Sequence, residues 1–211
     1  MTKALPGTLI VFEGIDGTGK STQIELLGEY LLENGHEVVV TREPTDGPYG
    51  QKIRQLYMNR DLASKTEELE LFLADRREHV NTLLLPALQA GKIVLCDRYY
   101  LSTAAYQGAN GFDPIEILRL NDFAPEPDIA FIFEVSVETS LHRITKGRGD
   151  LLNDFEQAES LKKVKKIFSE LDLPFIYRIN AERNIDEIHA NLLSVIDTVI
   201  AHPLADPLEQ L

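Results

Sequence analysis

Eight residues, Gly14-Ile15-Asp16-Gly17-Thr18-Gly19-Lys20-Ser21, set three glycines, a lysine and a hydroxyl in the spacing G-x-x-x-x-G-K-S/T. That is the spacing of a phosphate-binding P-loop. The glycines let the backbone curl so that successive N–H groups converge on one concavity. A helix starting at Lys20 and running past Thr22 adds the partial positive charge of its N-terminus. Lys20 would reach the outer phosphates of a nucleoside triphosphate, and the Ser21 hydroxyl would ligate Mg²⁺. The bland alternative is a glycine-rich turn that binds nothing. The complete motif in a strand-to-helix setting disfavours it.

Other residues could complete such chemistry. Asp16 puts a carboxylate inside the cradle, where it repels phosphate. Either it points into solvent, or it accepts a hydrogen bond from a sugar hydroxyl of a second substrate. Thr41-Arg42-Glu43-Pro44 opens a turn-rich loop, and Arg54 follows in the next helix. Each arginine could face a ligand or form a surface salt bridge. In Asp97-Arg98-Tyr99, Asp97 could hold Mg²⁺ through water, and Arg98 could clamp a phosphate in a fork that lysine cannot match. A structural ion pair is the weaker reading there, because strand ends host ligands. Phe72 and Arg76 lie four apart and share a helix face, so ring and guanidinium could stack on a base and bond its edge. Taken alone, a core Phe beside a surface Arg is the better reading. His79 reads as a polar helix residue, with no second His or Cys near it to suggest a metal. The basic run His142-Arg143 and Lys146-Gly147-Arg148-Gly149 reads as a mobile loop. It is either a lid over a transferring phosphate or a solvated connector.

The elements that must position these residues alternate. Short β-branched runs predict strands at 8–12, 37–41, 93–97, 129–135 and 175–179. Apolar residues at helical spacing predict helices at 20–33, 51–59, 67–90, 102–107, 114–123, 137–146, 155–171 and 185–201. Asn34-Gly35 and Gly91 close two of them, and Pro86 is expected to kink the third or to mark its last turns. Apolar strands separated by helices mean an α/β fold: a five-stranded parallel sheet with helices on both faces. Ligands then sit beyond the carboxyl ends of the strands. Residues 1–202 read as one domain with a short lid at about 143–156, and 203–211 as a frayed tail with two prolines.

The chain has 211 residues and a net charge of −13. It has few cations from which to build a nucleic-acid face. No apolar run is long enough to span a bilayer, and the first residues lack the apolar core of a secretory signal. One cysteine, Cys96, excludes an internal disulfide and fits a reducing compartment, so a cytoplasmic location is expected. In a strand, its thiol reads as a small buried hydrophobe. Any phosphate site must then draw its charge from a few placed arginines.

The ordered set Phe-Glu-Gly-Ile-Asp-Gly-Thr-Gly-Lys-Ser-Thr at 12–22, Thr-Arg-Glu-Pro at 41–44, Phe72 with Arg76, Asp-Arg-Tyr at 97–99 and Ser-Thr-Ala-Ala-Tyr-Gln-Gly at 102–108 resembles the thymidylate kinase family, P-loop enzymes that phosphorylate dTMP with ATP. The resemblance covers nearly the whole chain. It implies that Gly14, Gly17, Thr18, Gly19, Lys20, Ser21 and Thr22 hold the ATP phosphates, and that Ser21 and Asp97 hold Mg²⁺. Asp16 would meet the 3′ side of the deoxyribose. Phe72 would stack on thymine, Arg76 would bond its edge and Thr103 would read it. Tyr106 would crowd the place of a ribose 2′-OH. Arg98 would grip the acceptor phosphate with help from Arg42. Arg143 and the segment around Arg183 would line the adenine pocket. A homodimer is implied as well.

Two departures stand out. The P-loop has Gly17 and Thr18 where some members carry an arginine, so catalytic arginines belong in the lid. There the family pattern Asp-Arg-x-Glu reads Asn153-Asp154-Phe155-Glu156, which leaves Arg148 and Lys146 as candidates. The stretch Thr45-Asp46-Gly47-Pro48 also differs from the usual glycine-rich loop. The expected reaction is phosphorylation of dTMP to dTDP in dTTP synthesis, with Lys20, Arg98 and Arg148 catalytic. The rivals are a kinase for another monophosphate, a nucleotide-hydrolysing switch and a catalytically weak nucleotide-binding relative. The switch is disfavoured because no Asn-Lys-x-Asp guanine motif is present.

Overall fold

The computed structural model describes residues 5–59, 62–148 and 158–200. Strands β1 (Thr8–Glu13), β2 (Val38–Arg42), β3 (Ile93–Asp97), β4 (Ile129–Glu134) and β5 (Ile176–Asn180) form one parallel sheet in the order β2-β3-β1-β4-β5. The inner strands β1, β3 and β4 are unbroken apolar runs because helices cover both of their faces. The edge strands β2 and β5 are more exposed. The α/β architecture is the one the sequence predicts, with strand ends moved by a residue or so. β1 extends to Glu13 because β4 still pairs there, Glu13 opposite Ile132. β2 runs one residue later, so Arg42 ends the strand and does not open the loop.

The helices α1 (Lys20–Glu33), α2 (Pro48–Met58), α3 (Lys65–His79), α4 (Leu85–Gln89), α5 (Tyr100–Ala109), α6 (Pro114–Leu120), α7 (Val137–Arg148), α8 (Ala158–Glu170) and α9 (Ile185–Ile200) fill the connections. α2 begins at Pro48, where the missing N–H costs nothing and φ is already helical. α3 begins two residues before the expected Glu67. Ser64 accepts from the Glu67 amide, and the Glu67 side chain accepts from the Ser64 amide. The helix expected over 67–90 is broken: α3 passes into a π-helical turn, Val80–Leu84, before α4. Pro86 has no N–H to offer the Thr82 carbonyl, and the ladder widens just ahead of it. α5 outruns the predicted 102–107 at both ends, and α6 stops at Leu120, short of Phe123. α7 carries Arg143 and Lys146 on the expected helix and runs two residues past its expected end, through Gly147 to Arg148, where the glycine implied a loop. The rest of the expected lid, 149–156, and the tail, 203–211, lie outside the described residues.

From β1 the chain moves outward to β2, returns to β3, then crosses to β4 and β5 on the other side of β1. That reversal opens a crevice beyond the carboxyl ends of the central strands. Phe12 and Arg42 both pair with Asp97, so the loops after β1, β2 and β3 emerge side by side. Cys96 is fully buried in β3, and burial holds its thiol well above its usual pKa. Among the described residues, no helix is long and apolar enough to cross a membrane.

Candidate functional site

The P-loop can curl as it does because two of its glycines are pressed against neighbouring backbone. At Gly14, φ is +129°, and a Cβ would lie 2.6 Å from the Phe133 carbonyl oxygen of β4. At Gly17, φ is +72°, and a Cβ would lie 2.6 Å from the Ser140 carbonyl oxygen of α7. Any side chain at either place combines backbone strain with a clash. α7 braces the loop from behind. The Ser140 hydroxyl donates to the Asp16 carbonyl at 2.7 Å, and Arg143 Nη1 donates to the carbonyls of Gly17 at 3.4 Å and Ala181 at 3.1 Å. Arg143 thus joins the P-loop to the segment after β5, where Arg183 is exposed.

Lys20 is buried and folds back over the loop. Its Nζ donates to the Ile15 carbonyl at 2.9 Å, and to the Gly14 carbonyl and Thr18 Oγ1 at 3.3 Å each. The ammonium thereby takes up the loop's carbonyls and leaves its amides for an anion. Burial, reinforced by the Arg98 charge, lowers its pKa to about 8. Ser21 Oγ donates to Asp97 Oδ2 at 3.2 Å. The other carboxylate oxygen, Asp97 Oδ1, is buried without a hydrogen-bond partner among the described residues. An orphaned carboxylate oxygen beside a hydroxyl is a donor set that fits a hard divalent cation. Among the described residues, no cluster of three acidic, His or Cys groups forms a complete cage.

Beside the P-loop lies a cleft of about 320 Å³. Asp16, Arg42, Phe72, Arg76, Arg98, Thr103 and Tyr106, drawn from five separate segments of sequence, all line it, as does Asp97. Two expectations are corrected here. Arg76 is not a surface residue: it is 1% exposed and ion-paired to Glu43, with Nη2–Oε2 at 2.6 Å. Phe72 is not a core residue; it is half-buried and faces the cleft. His79 is also buried, with Nδ1 2.9 Å from Glu43 Oε1 and Nε2 2.8 Å from Thr41 Oγ1. Arg42 reaches the cleft from the rim, where Asp46 holds its guanidinium at 2.8 Å. Asp46 also takes the Arg54 guanidinium, and the two arginines hold its carboxyl below its ordinary pKa. Burial pushes the Tyr57 phenol up to about 12 and the Tyr106 phenol higher, so both are neutral hydroxyls.

Arg98 joins the two halves of the site. Nη1 donates to the Gly14 carbonyl at 2.9 Å and to Ser102 Oγ at 3.0 Å; Nη2 donates to Asp16 Oδ1 at 2.9 Å. Its guanidinium lies 5.3 Å from the centre of the Tyr106 ring. Asp16 therefore points at Arg98, neither into solvent nor at the triphosphate cradle. Glu13, which the sequence reading passed over, organises this corner from beneath. Its Oε1 accepts from the amides of Tyr99 at 2.9 Å and Ser102 at 3.2 Å, and its Oε2 accepts from the Ser102 hydroxyl. It caps the N-terminus of α5 from another strand.

Burial raises the Glu13 pKa from 4.5 to about 7, against the lowering effects of Ser102, Arg98 and Tyr99. The folded state then holds a proton on Glu13 that the unfolded state has lost. Stability therefore falls as pH rises from 4.5 toward 7, by up to about 3 kcal/mol. Glu13→Gln removes that penalty. Its stability relative to the parent is expected to be higher at pH 8 than at pH 5, as read by urea unfolding. An equal difference at both values would show that the buried carboxyl carries no such cost.

Other participants missed in the sequence are Glu43, Ser102, Gln107 and Asn121, all buried. Glu43 directly follows a strand end, and Ser102 sits in the first turn of α5; position alone could have flagged both. The Arg148 side chain, together with Asn153, Asp154 and Glu156, lies outside the described residues.

With this geometry in place, comparison with known proteins is informative. A family model described as thymidylate kinase matches residues 12–192. A thymidylate kinase of Desulfotalea psychrophila is 57% identical over 195 residues, covering 92% of this chain and 96% of the relative. A probable thymidylate kinase of Pyrococcus horikoshii is 40% identical over 197 residues, with 90% and 96% covered. A thymidylate kinase of Xanthomonas oryzae is 42% identical over 199 residues, with 94% and 87% covered.

Proposed function

The chain belongs to the thymidylate kinase family, and from that premise we propose that it transfers the γ-phosphoryl group of ATP to dTMP in dTTP synthesis, yielding dTDP and ADP. The observation that carries the proposal is the double contact of Arg98. One guanidinium touches the P-loop carbonyl of Gly14 and lines the cleft that holds Phe72 and Arg76. A cation between two anionic nucleotides is what in-line transfer needs. An oxygen of the dTMP phosphate attacks the γ-phosphorus, and the bond to the β–γ bridging oxygen breaks. The attacking oxygen is already anionic, so no strong general base is required. The work is positioning and charge neutralisation.

In this reading the backbone of Gly14, Gly17, Thr18 and Gly19, with Lys20, Ser21 and Thr22, holds the ATP phosphates, and Arg143 and Arg183 border adenine. Phe72 stacks on thymine while Arg76 and Thr103 face its edge. Asp16 and Tyr106 meet the sugar. Arg98 and Arg42 hold the acceptor phosphate, and Arg148, whose side chain lies outside the described residues, is the expected third catalytic cation beside Lys20 and Arg98. Ser21 and Asp97 would hold Mg²⁺, which when bound screens the phosphate charge. Residues 1–202 act as one kinase unit, working as a homodimer in the cytoplasm, where a reducing compartment suits the single buried thiol. The acidic chain has no use for nucleic acid or membrane as partner.

The test is ADP release from ATP and Mg²⁺ with dTMP, dUMP, dCMP, dGMP or dAMP as acceptor, and with none. Release that depends on dTMP and exceeds that with the others supports the proposal. Preference for another monophosphate would reassign the substrate. Release without an acceptor would mark a hydrolase.

A further inference from the structure

We propose that Asn121 is a specificity-determining positioning residue, which restricts the base-reading guanidinium of Arg76 to a single free donor. The inference rests on the reading of Arg76 as the group that meets the base edge. A guanidinium has five N–H donors. Nε and one N–H of Nη2 go to Glu43 Oε2, at 2.8 and 2.6 Å. The second N–H of Nη2 goes to Thr103 Oγ1 at 3.0 Å. One N–H of Nη1 goes to Asn121 Oδ1 at 2.6 Å. Among the described residues, one N–H of Nη1 is left, on a group that lines the cleft.

Asn121 is built to hold that contact. It is 2% exposed, directly after the last residue of α6, and outside the cleft lining. Its Nδ2 donates to the Ile117 carbonyl at 2.7 Å. The amide therefore cannot turn over without setting donor against donor, and its oxygen is committed to Arg76. Glu43 fixes the guanidinium on one side and Asn121 on the other, so it cannot swing in its plane.

A fixed single donor in a buried pocket recognises one acceptor. A base with a carbonyl at that edge, thymine or uracil, pairs with it. A base with an amino group there, cytosine, sets N–H against N–H and leaves both unsatisfied. Freed on the Asn121 side, the guanidinium could turn away from the amino group, and the penalty on cytosine would shrink.

The experiment compares kcat/KM for dTMP, dUMP and dCMP in the parent, Asn121→Ala and Asn121→Asp. Asn121→Ala is expected to lower the dTMP-to-dCMP ratio by roughly tenfold, to leave the dTMP-to-dUMP ratio unchanged, and to act mainly through KM. Asn121→Asp keeps an acceptor for Arg76 but loses the donor to the Ile117 carbonyl, so its dTMP-to-dCMP ratio should fall between those of the parent and Asn121→Ala. A ratio of two substrates on one preparation does not depend on the fraction of enzyme that is folded. A purely structural role for Asn121 would therefore depress both rates and leave the ratio alone. A dTMP-to-dCMP preference that survives Asn121→Ala overturns this inference only. A parent enzyme with no such preference overturns it together with the base-reading role of Arg76.

Discussion

Arg98→Ala is expected to lower kcat by roughly a thousandfold or more, the scale on which a transition-state arginine acts in phosphoryl transfer, while the protein stays folded. The size follows from what the side chain joins. Its donors tie the Gly14 carbonyl, Ser102 and Asp16 around one cation where the P-loop meets the cleft. Desolvation works against that charge, but the carboxylates of Asp16 and Asp97 favour it, and the guanidinium pKa stays well above its ordinary value, so the charge persists at any working pH. In the proposed arrangement, removing it also takes the Arg98 contact from the Asp16 carboxylate, which lines the same cleft, and so adds repulsion of an acceptor phosphate to the loss of attraction. Arg98→Lys is expected to recover only a small part of the rate, because an ammonium cannot reproduce the fork across three acceptors. The backbone supplies a second readout. Among the described residues, Arg98 is the one non-glycine at positive φ, +68°, a conformation that costs an ordinary residue about 1 kcal/mol. Arg98→Gly should therefore resist urea better than Arg98→Ala by about that amount, with kcat equally depressed in both. Steady-state kinetics and unfolding curves on the three variants check both. A kcat for Arg98→Ala within tenfold of the parent would remove Arg98 from the reaction.

That residue was legible in the sequence because its signal is local. Asp97-Arg98-Tyr99 ends an apolar run, and the P-loop spacing fixes where the first strand stops. Parallel pairing then aligns Phe12, Asp97 and Arg42, so strand ends read one by one assemble into one site. The surroundings of Arg76 were not legible, because a charged helix residue reads as exposed unless its partners are known. Those partners, Glu43 and Asn121, are 33 and 45 residues away and meet it only through the tertiary fold. Glu13 was hidden for the same reason: its partners, the amides of Tyr99 just before α5 and Ser102 in its first turn, lie 86 and 89 residues on. Gly147 misled in the other direction. It looked like the start of a loop, yet α7 continues through it to Arg148, on a helix anchored to the P-loop, with Ile144 buried and Ser140 bonded to Asp16.

Glu43→Ala is expected to cost about 3–5 kcal/mol of folding stability, the range for stripping one partner from a buried ion pair. Against a typical total of about 5–15 kcal/mol, that is a large share. Glu43 is 5% exposed and carries two neighbours on its carboxylate, Arg76 on Oε2 and His79 on Oε1. Alanine leaves a guanidinium that is 1% exposed without a counter-charge and takes the acceptor from the His79 ring. The loss should come from the stranded charge more than from the broken contact itself, and this can be separated. Glu43→Gln keeps the shape and one acceptor but not the charge, and should fall between parent and alanine. Glu43→Ala combined with Arg76→Met removes both charges, and should be more stable than Glu43→Ala alone. If the double variant is no better than the single, the pair is not compensating charge and Glu43 acts only through packing. The same variants carry a functional consequence. The Glu43 amide donates to the Asp97 carbonyl at 2.9 Å, while its side chain fixes Arg76. One residue therefore links the strand end bearing Asp97 to the group proposed to read the base. Glu43→Gln should accordingly raise KM for dTMP and lower kcat together, whereas a residue that only read the base would move KM alone.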